Sequence, residues 1–161
     1  MLLACALGAF AQDGHQWPRD SVSGKVEYKG SLPWPAGVVT EAQRRDLVRH
    51  WYLTKLTDMK PEDVANSIAY HGVTYDGLPK GARLEYITYV NDKEYFSLRY
   101  EVELTLTSAG LAYQLSNFGY GYFSVDVSNS DDLEDLLTLF PTGRPELAVF
   151  QKRLVAALAG W

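Results

Sequence analysis

The sequence predicts an α+β fold: a twisted antiparallel sheet with helices packed on one face. Three observations predict it. Apolar and polar residues alternate with period two through residues 83–118, an apolar stripe with helical spacing follows Thr40, and a second such stripe follows Pro145. A chain of 161 residues suits one domain, large enough to bury roughly two-thirds of its unfolded surface.

Residues 21–28 alternate as a half-buried first strand should, with Val22, Val26 and Tyr28 on one side and Ser23, Lys25 and Glu27 on the other. Pro33, Pro35 and the glycines of 30–37 break it. Thr40-Glu41-Ala42-Gln43 has the form of a capping box and starts a helix whose Leu47, Val48, Trp51 and Leu56 share a face. Residues 58–63 read as a turn and 67–75 as a second strand containing His71-Gly72. Gly77, Pro79 and Gly81 then punctuate the chain.

Two hairpins follow, and side-chain pairing sets their registers. A tight loop at Ser108-Ala109 pairs Leu106 with Leu111, Leu104 with Tyr113 and Val102 with Leu115, all apolar. A slip of one residue would turn a strand over. For the earlier hairpin, a four-residue loop over 91–94 pairs Tyr89 with Phe96 and Ile87 with Leu98. Gly119-Tyr120-Gly121-Tyr122-Phe123 ends the meander. Ser130 is placed to cap a short acidic-fronted helix over 131–140. A last helix opens at Pro145, where the missing N–H costs nothing, and buries Leu147, Phe150, Leu154 and Leu158 with Lys152 and Arg153 in water.

The first residues carry an apolar run ending in Ala9-Phe10-Ala11, the small-x-small pattern cut by an export signal peptidase. The expected organisation is therefore a signal peptide over 1–11, a linker over 12–20 and a single domain over 21–161, with the product exported to the periplasm or cell envelope. The run lacks the usual basic start, which is consistent with an upstream start. Cys5 offers lipidation as an alternative to cleavage. As the single cysteine it would leave a cleaved product without disulfide or thiol chemistry. No later apolar run approaches the roughly 20 residues a membrane helix needs, so no transmembrane helix is expected in the mature chain. A net charge of -5 with 22% charged residues argues against nucleic acid as a partner.

The succession of strand, capped helix, strand, antiparallel meander and C-terminal helix, with Leu47-Val48-Arg49-His50-Trp51-Tyr52 and the hairpin from Tyr100 to Phe118, resembles a family of small exported bacterial domains of unknown function with a TATA-binding-protein-like fold. The resemblance covers roughly residues 22–123. It implies that fold and brings no established activity and no assigned catalytic residue. The fold label suggests DNA binding, which the acidic balance and the lack of a Lys/Arg stripe on the sheet oppose.

On the face of the meander turned away from the helices, these registers set Arg99 between Tyr86 and Phe118, with Glu101, Gln114 and Ser116 beside it. An arginine between aromatic rings can present its donors to a carboxylate, a sugar or a peptide strand. The same residues also make ordinary cross-strand pairs. The four rings of 118–123 suit either burial or stacking on a sugar. Glu101 and Glu103, two apart on one strand face, are the carboxylate pair that a small hydrolase would need. Arg44, Arg45 and Arg49 read as a solvated helix face or a dock for an acidic partner. No nucleophile elbow, phosphate loop, dinucleotide pattern or metal-ligand spacing occurs, so no cofactor is expected. The expected function is a non-catalytic binding or assembly module of the envelope, contacting an envelope protein, peptide or glycan. The alternative is a hydrolase using Glu101 and Glu103.

Overall fold

A computed structural model describes residues 16–88, 94–124 and 128–161. The expected leader and the first hairpin loop lie outside the described residues. In chain order the elements are β1 (Tyr28–Pro33), α1 (Glu41–Trp51) prolonged by a π turn (Tyr52–Leu56), α2 (Pro61–His71), β2 (Gly81–Thr88), β3 (Glu94–Leu106), β4 (Gly110–Phe123), β5 (Ser128–Asp132), α3 (Leu133–Leu139) and α4 (Pro145–Leu158). The fold is α+β. Its five-stranded sheet is antiparallel throughout, and β4 is the spine. β3 runs along one side of β4 and carries β2 on its far edge, while β1 and β5 share the other side of β4.

One face of the sheet is the core. Leu32, Leu84, Phe96, Leu98, Val102, Leu104, Leu111, Leu115 and Tyr120 are buried in one cluster with Val48, Trp51, Tyr52 and Leu56 of the first helix and Leu147, Phe150, Leu154 and Ala157 of α4. Each buried Val, Leu or Phe side chain contributes roughly 1.5–3 kcal/mol through burial. Two polar atoms inside the cluster are satisfied by backbone carbonyls: Trp51 Nε1 donates to that of Ala157 at 2.8 Å, and the Tyr52 hydroxyl to that of Gly81 at 2.7 Å. The capping box forms as expected, with Gln43 N–H donating to the Thr40 hydroxyl at 3.2 Å and Thr40 N–H to Gln43 Oε1 at 3.0 Å. Pro145 opens α4, and the Leu106–Leu111, Leu104–Tyr113 and Val102–Leu115 pairs are all present.

Other expectations are corrected. The strand expected over 67–75 is helical: Pro61 opens α2, Glu62 and Asp63 face its positive end, and Gly72 ends it at φ 77°. The first strand begins at Tyr28 rather than residue 21 and continues through Gly30, which pairs with Tyr113 and leaves room for its ring where a β-carbon would strike it. Residues 12–20, read as a linker, supply Trp17 to the core. Ser130 caps nothing; it lies on β5, and Asp132 precedes α3. In the first hairpin Phe96 faces Tyr86 and Leu98 faces Leu84, not Tyr89 and Ile87. Leu84 is fully buried whereas Ile87 is 38% exposed, so the observed register buries the better-placed aliphatic chain.

Arg153, expected in water, ties α4 to the β2 edge. Its guanidinium forks onto Asp58 at 2.7 and 2.8 Å. Asp58 in turn donates its N–H to the Arg83 carbonyl and accepts from Glu85 N–H, both in place of a neighbouring strand. Burial pushes the Asp58 pKa up, but the Arg153 fork and the Glu85 N–H outweigh it and hold the carboxyl below its ordinary value. A depressed folded-state pKa stabilises the fold above the unfolded value, about 3.9, and that contribution fades as pH falls through the folded one. Urea unfolding of Arg153→Met should therefore show a loss of about 1–2 kcal/mol at pH 7, the fork being partly exposed. The gap from the parent protein should narrow as pH falls below about 4.

Candidate functional site

The outer face of the sheet is polar, and α2 stands over the β2 end of it. Between them lies a cleft of about 500 Å³ lined by Asp63, Asn66, Ser67 and Tyr70 of α2, Arg83 of β2, Arg99 and Glu101 of β3, and Asn117 of β4. Alternation along the strands brings the three β2 and β3 side chains to this face. Arg83 lies directly across from Arg99, an arrangement of like charges that destabilises a sheet unless each is compensated.

The two arginines are not equally compensated. Arg83 has Asp63 at 3.6 Å and Glu85 at 2.9 Å, the latter off the N–H axis and so an ion pair without a hydrogen bond. Among the described residues Arg99 has no carboxylate within ion-pairing distance, and its guanidinium donates to the Ser130 hydroxyl on β5. Glu101 likewise has no cation partner among the described residues; it accepts from Asn117 Nδ2 at 2.9 Å.

A β-bulge shapes this wall. Arg99 faces Gly119 but Glu101 faces Ser116, so β4 spends one extra residue opposite Tyr100. Asn117 takes the left-handed conformation the bulge needs, φ 52°, a state that asparagine tolerates better than most residues. The extra residue turns Phe118 over. Instead of flanking Arg99 on the outer face, Phe118 is 2% exposed in the core and stacks on Tyr100 with centroids 5.2 Å apart.

Of the five side chains expected to form a binding surface, the structure brings together Arg99 and Glu101. Phe118 is inside. Tyr86 belongs to the helix-covered face at the far end of β2, its ring 6.2 Å from that of Phe96. Gln114 is on the outer face but outside the cleft, where it donates to Glu27. The Glu101–Glu103 pair is divided: Glu103 lies by Lys80 at 3.6 Å and does not line the cleft. The basic cluster of α1 is engaged as well, with Arg44 over the Trp34 ring, Arg45 on Glu41 and Asp76, and Arg49 on the Asp76 carbonyl. Sequence reasoning missed Asn66, Ser67 and Tyr70 by reading α2 partly as strand. It missed Arg83 through the hairpin register, although the Pro61 and Gly72 helix boundaries were there to be read.

Compared with protein-family models, curated proteins and solved structures, the chain finds no match. The cleft must therefore speak through its own chemistry. It offers Arg83 paired with Asp63, the arginine Arg99 and the carboxylate Glu101 without ion partners among the described residues, two amides, a hydroxyl, a phenol and the His71 imidazole. That donor-rich set suits recognition of a polar ligand.

The bulge conformation can be tested by itself. Asn117→Gly, which fits the same backbone without a side chain, should leave stability within about 1 kcal/mol, whereas Asn117→Val should cost about 1–3 kcal/mol because a β-branched residue resists positive φ. Denaturant unfolding of both variants measures the difference, and equal stabilities would place Asn117 in an unstrained conformation.

Proposed function

We propose that this chain is a non-catalytic binding module, exported to the cell envelope, whose ligand site is the cleft between α2 and the outer sheet face. The observation that carries the proposal is Arg99. It is an arginine in a cleft of ligand size, opposite a second arginine, held by a neutral serine and lacking any carboxylate partner among the described residues. A guanidinium placed so gains a bidentate hydrogen-bond partner when an acidic group arrives, which is the chemistry of carboxylate recognition.

Several further points support the reading. The apolar run ending in Ala9-Phe10-Ala11 favours export, as does the resemblance to exported domains with a TATA-binding-protein-like fold. The acidic balance disfavours nucleic acid. No helix among the described residues is long and apolar enough to cross a membrane. Glu103, the partner that glycoside hydrolysis through Glu101 was expected to use, lies outside the cleft, and the other carboxylate on the cleft wall, Asp63, is paired with Arg83.

Titration of isotope-labelled protein with envelope peptides and glycan fragments, followed by amide chemical shifts, tests the site. Shifts should cluster at Arg99, Glu101, Asn117 and Tyr70, and Arg99→Ala should weaken binding by about 10- to 100-fold, since one hydrogen-bonded charge contributes about 1.5–3 kcal/mol. Unchanged affinity in that variant, or shifts confined to other surfaces, would remove the cleft from consideration.

A further inference from the structure

We infer that the ligand of this cleft is a small zwitterion of the α-amino acid class, its carboxylate held by Arg99 and its ammonium by Glu101. The inference rests on the reading of the cleft as a ligand site and names what that site takes.

Arg99 and Glu101 are two residues apart on one strand face, about 6.6 Å along the strand, close enough for such long side chains to pair with each other. They do not pair. Arg99 is drawn across β4 to Ser130, while Glu101 is drawn to Asn117 at the bulge, and the register of β4 shifts between them. Both partners are neutral, so each side chain keeps a whole charge with no ion partner among the described residues. The other pair of opposite charges on the cleft wall cancels locally, because Arg83 sits with Asp63 at 3.6 Å.

What remains is one positive and one negative group, held apart on one wall. A simple anion would satisfy Arg99 but sit beside the Glu101 carboxylate, and a simple cation would meet the reverse difficulty. A molecule carrying both charges satisfies both, each through a charged hydrogen bond of about 2.8 Å. The carboxylate takes two guanidinium N–H groups, and the ammonium donates to the Glu101 oxygen that Asn117 leaves free. The rest of the cleft, with Met59 and Tyr70 on its wall, has room for a side chain. Its volume of about 500 Å³ falls within the range of small-molecule sites.

The test is a titration with the common α-amino acids, followed by cleft amide shifts. The tightest binder is then compared with its C-terminal amide, its N-acetyl derivative and inorganic phosphate. The amide and the N-acetyl form should each bind at least tenfold more weakly than the free amino acid. Arg99→Gln should abolish discrimination against the amide, and Glu101→Gln discrimination against the N-acetyl form. Both side chains lie on the outer face, and the chemical-shift dispersion of each variant checks that it is folded.

Blocked forms that bind as well as the free amino acid, tighter binding of phosphate, or no saturable shift with any amino acid would overturn the zwitterion assignment. In those cases cleft shifts with an envelope peptide or glycan would leave the binding-module proposal standing. Absence of cleft shifts with every probe would overturn both.

Discussion

The stack of Tyr100 on Phe118 is the contact on which the rest of this structure depends. Both rings lie in the core, and Trp17 and Tyr28 also pack on Phe118. The Tyr100 hydroxyl donates to the Leu56 carbonyl at the end of the π turn, joining sheet to helix, and burial keeps that hydroxyl protonated. Phe118 reaches this position only because β4 carries an extra residue. The same bulge sets Asn117 on the opposite face, in the cleft wall. One irregularity thus couples core packing to site geometry, and neither can change without the other.

Charge distribution follows a related logic. The protein is acidic, and four of its arginines hold carboxylates: Arg153 clamps Asp58, Arg45 holds Glu41 and Asp76, Arg144 joins Glu146, and Arg83 sits between Asp63 and Glu85. Exposed pairs of this kind contribute little stability individually, although the Asp58 fork also closes a sheet edge. Arg19, Arg44, Arg49 and Arg99 have neutral partners instead, and of these Arg99 alone lines the cleft. Arg99 and the backbone irregularity fall in the same cleft, two residues from each other across the β3–β4 ladder.

Much of this was legible in the sequence. The β3–β4 hairpin was legible because Val102, Leu104 and Leu106 can be matched only with Leu115, Tyr113 and Leu111 if both strands are to bury one face. The helix starts at Thr40 and Pro145 were legible because backbone donors there require particular residues. The bulge left a signal that uniform alternation hides. The inward residues of β3 stay at even positions from Phe96 to Leu106, whereas those of β4 change from Leu111, Tyr113 and Leu115 to Phe118, Tyr120 and Tyr122. Such a change of phase in one strand alone requires an inserted residue at 116–117. β2 was misregistered because Ile87 and Leu84 are both apolar and differ in face, and only the packed core distinguishes them. β5 is polar at every position, SNSDD, so no burial pattern announces it.

The most direct test of this account is the pairing of β3 with β4 by interstrand nuclear Overhauser contacts in solution. The structure predicts contacts joining Val102 to Leu115, Glu101 to Ser116 and Arg99 to Gly119, with Phe118 aromatic protons close to Tyr100 and Trp17. An uninterrupted ladder that sets Arg99 against Phe118 would contradict it, for Phe118 would then leave the core and the cleft wall would lose the asparagine that holds Glu101.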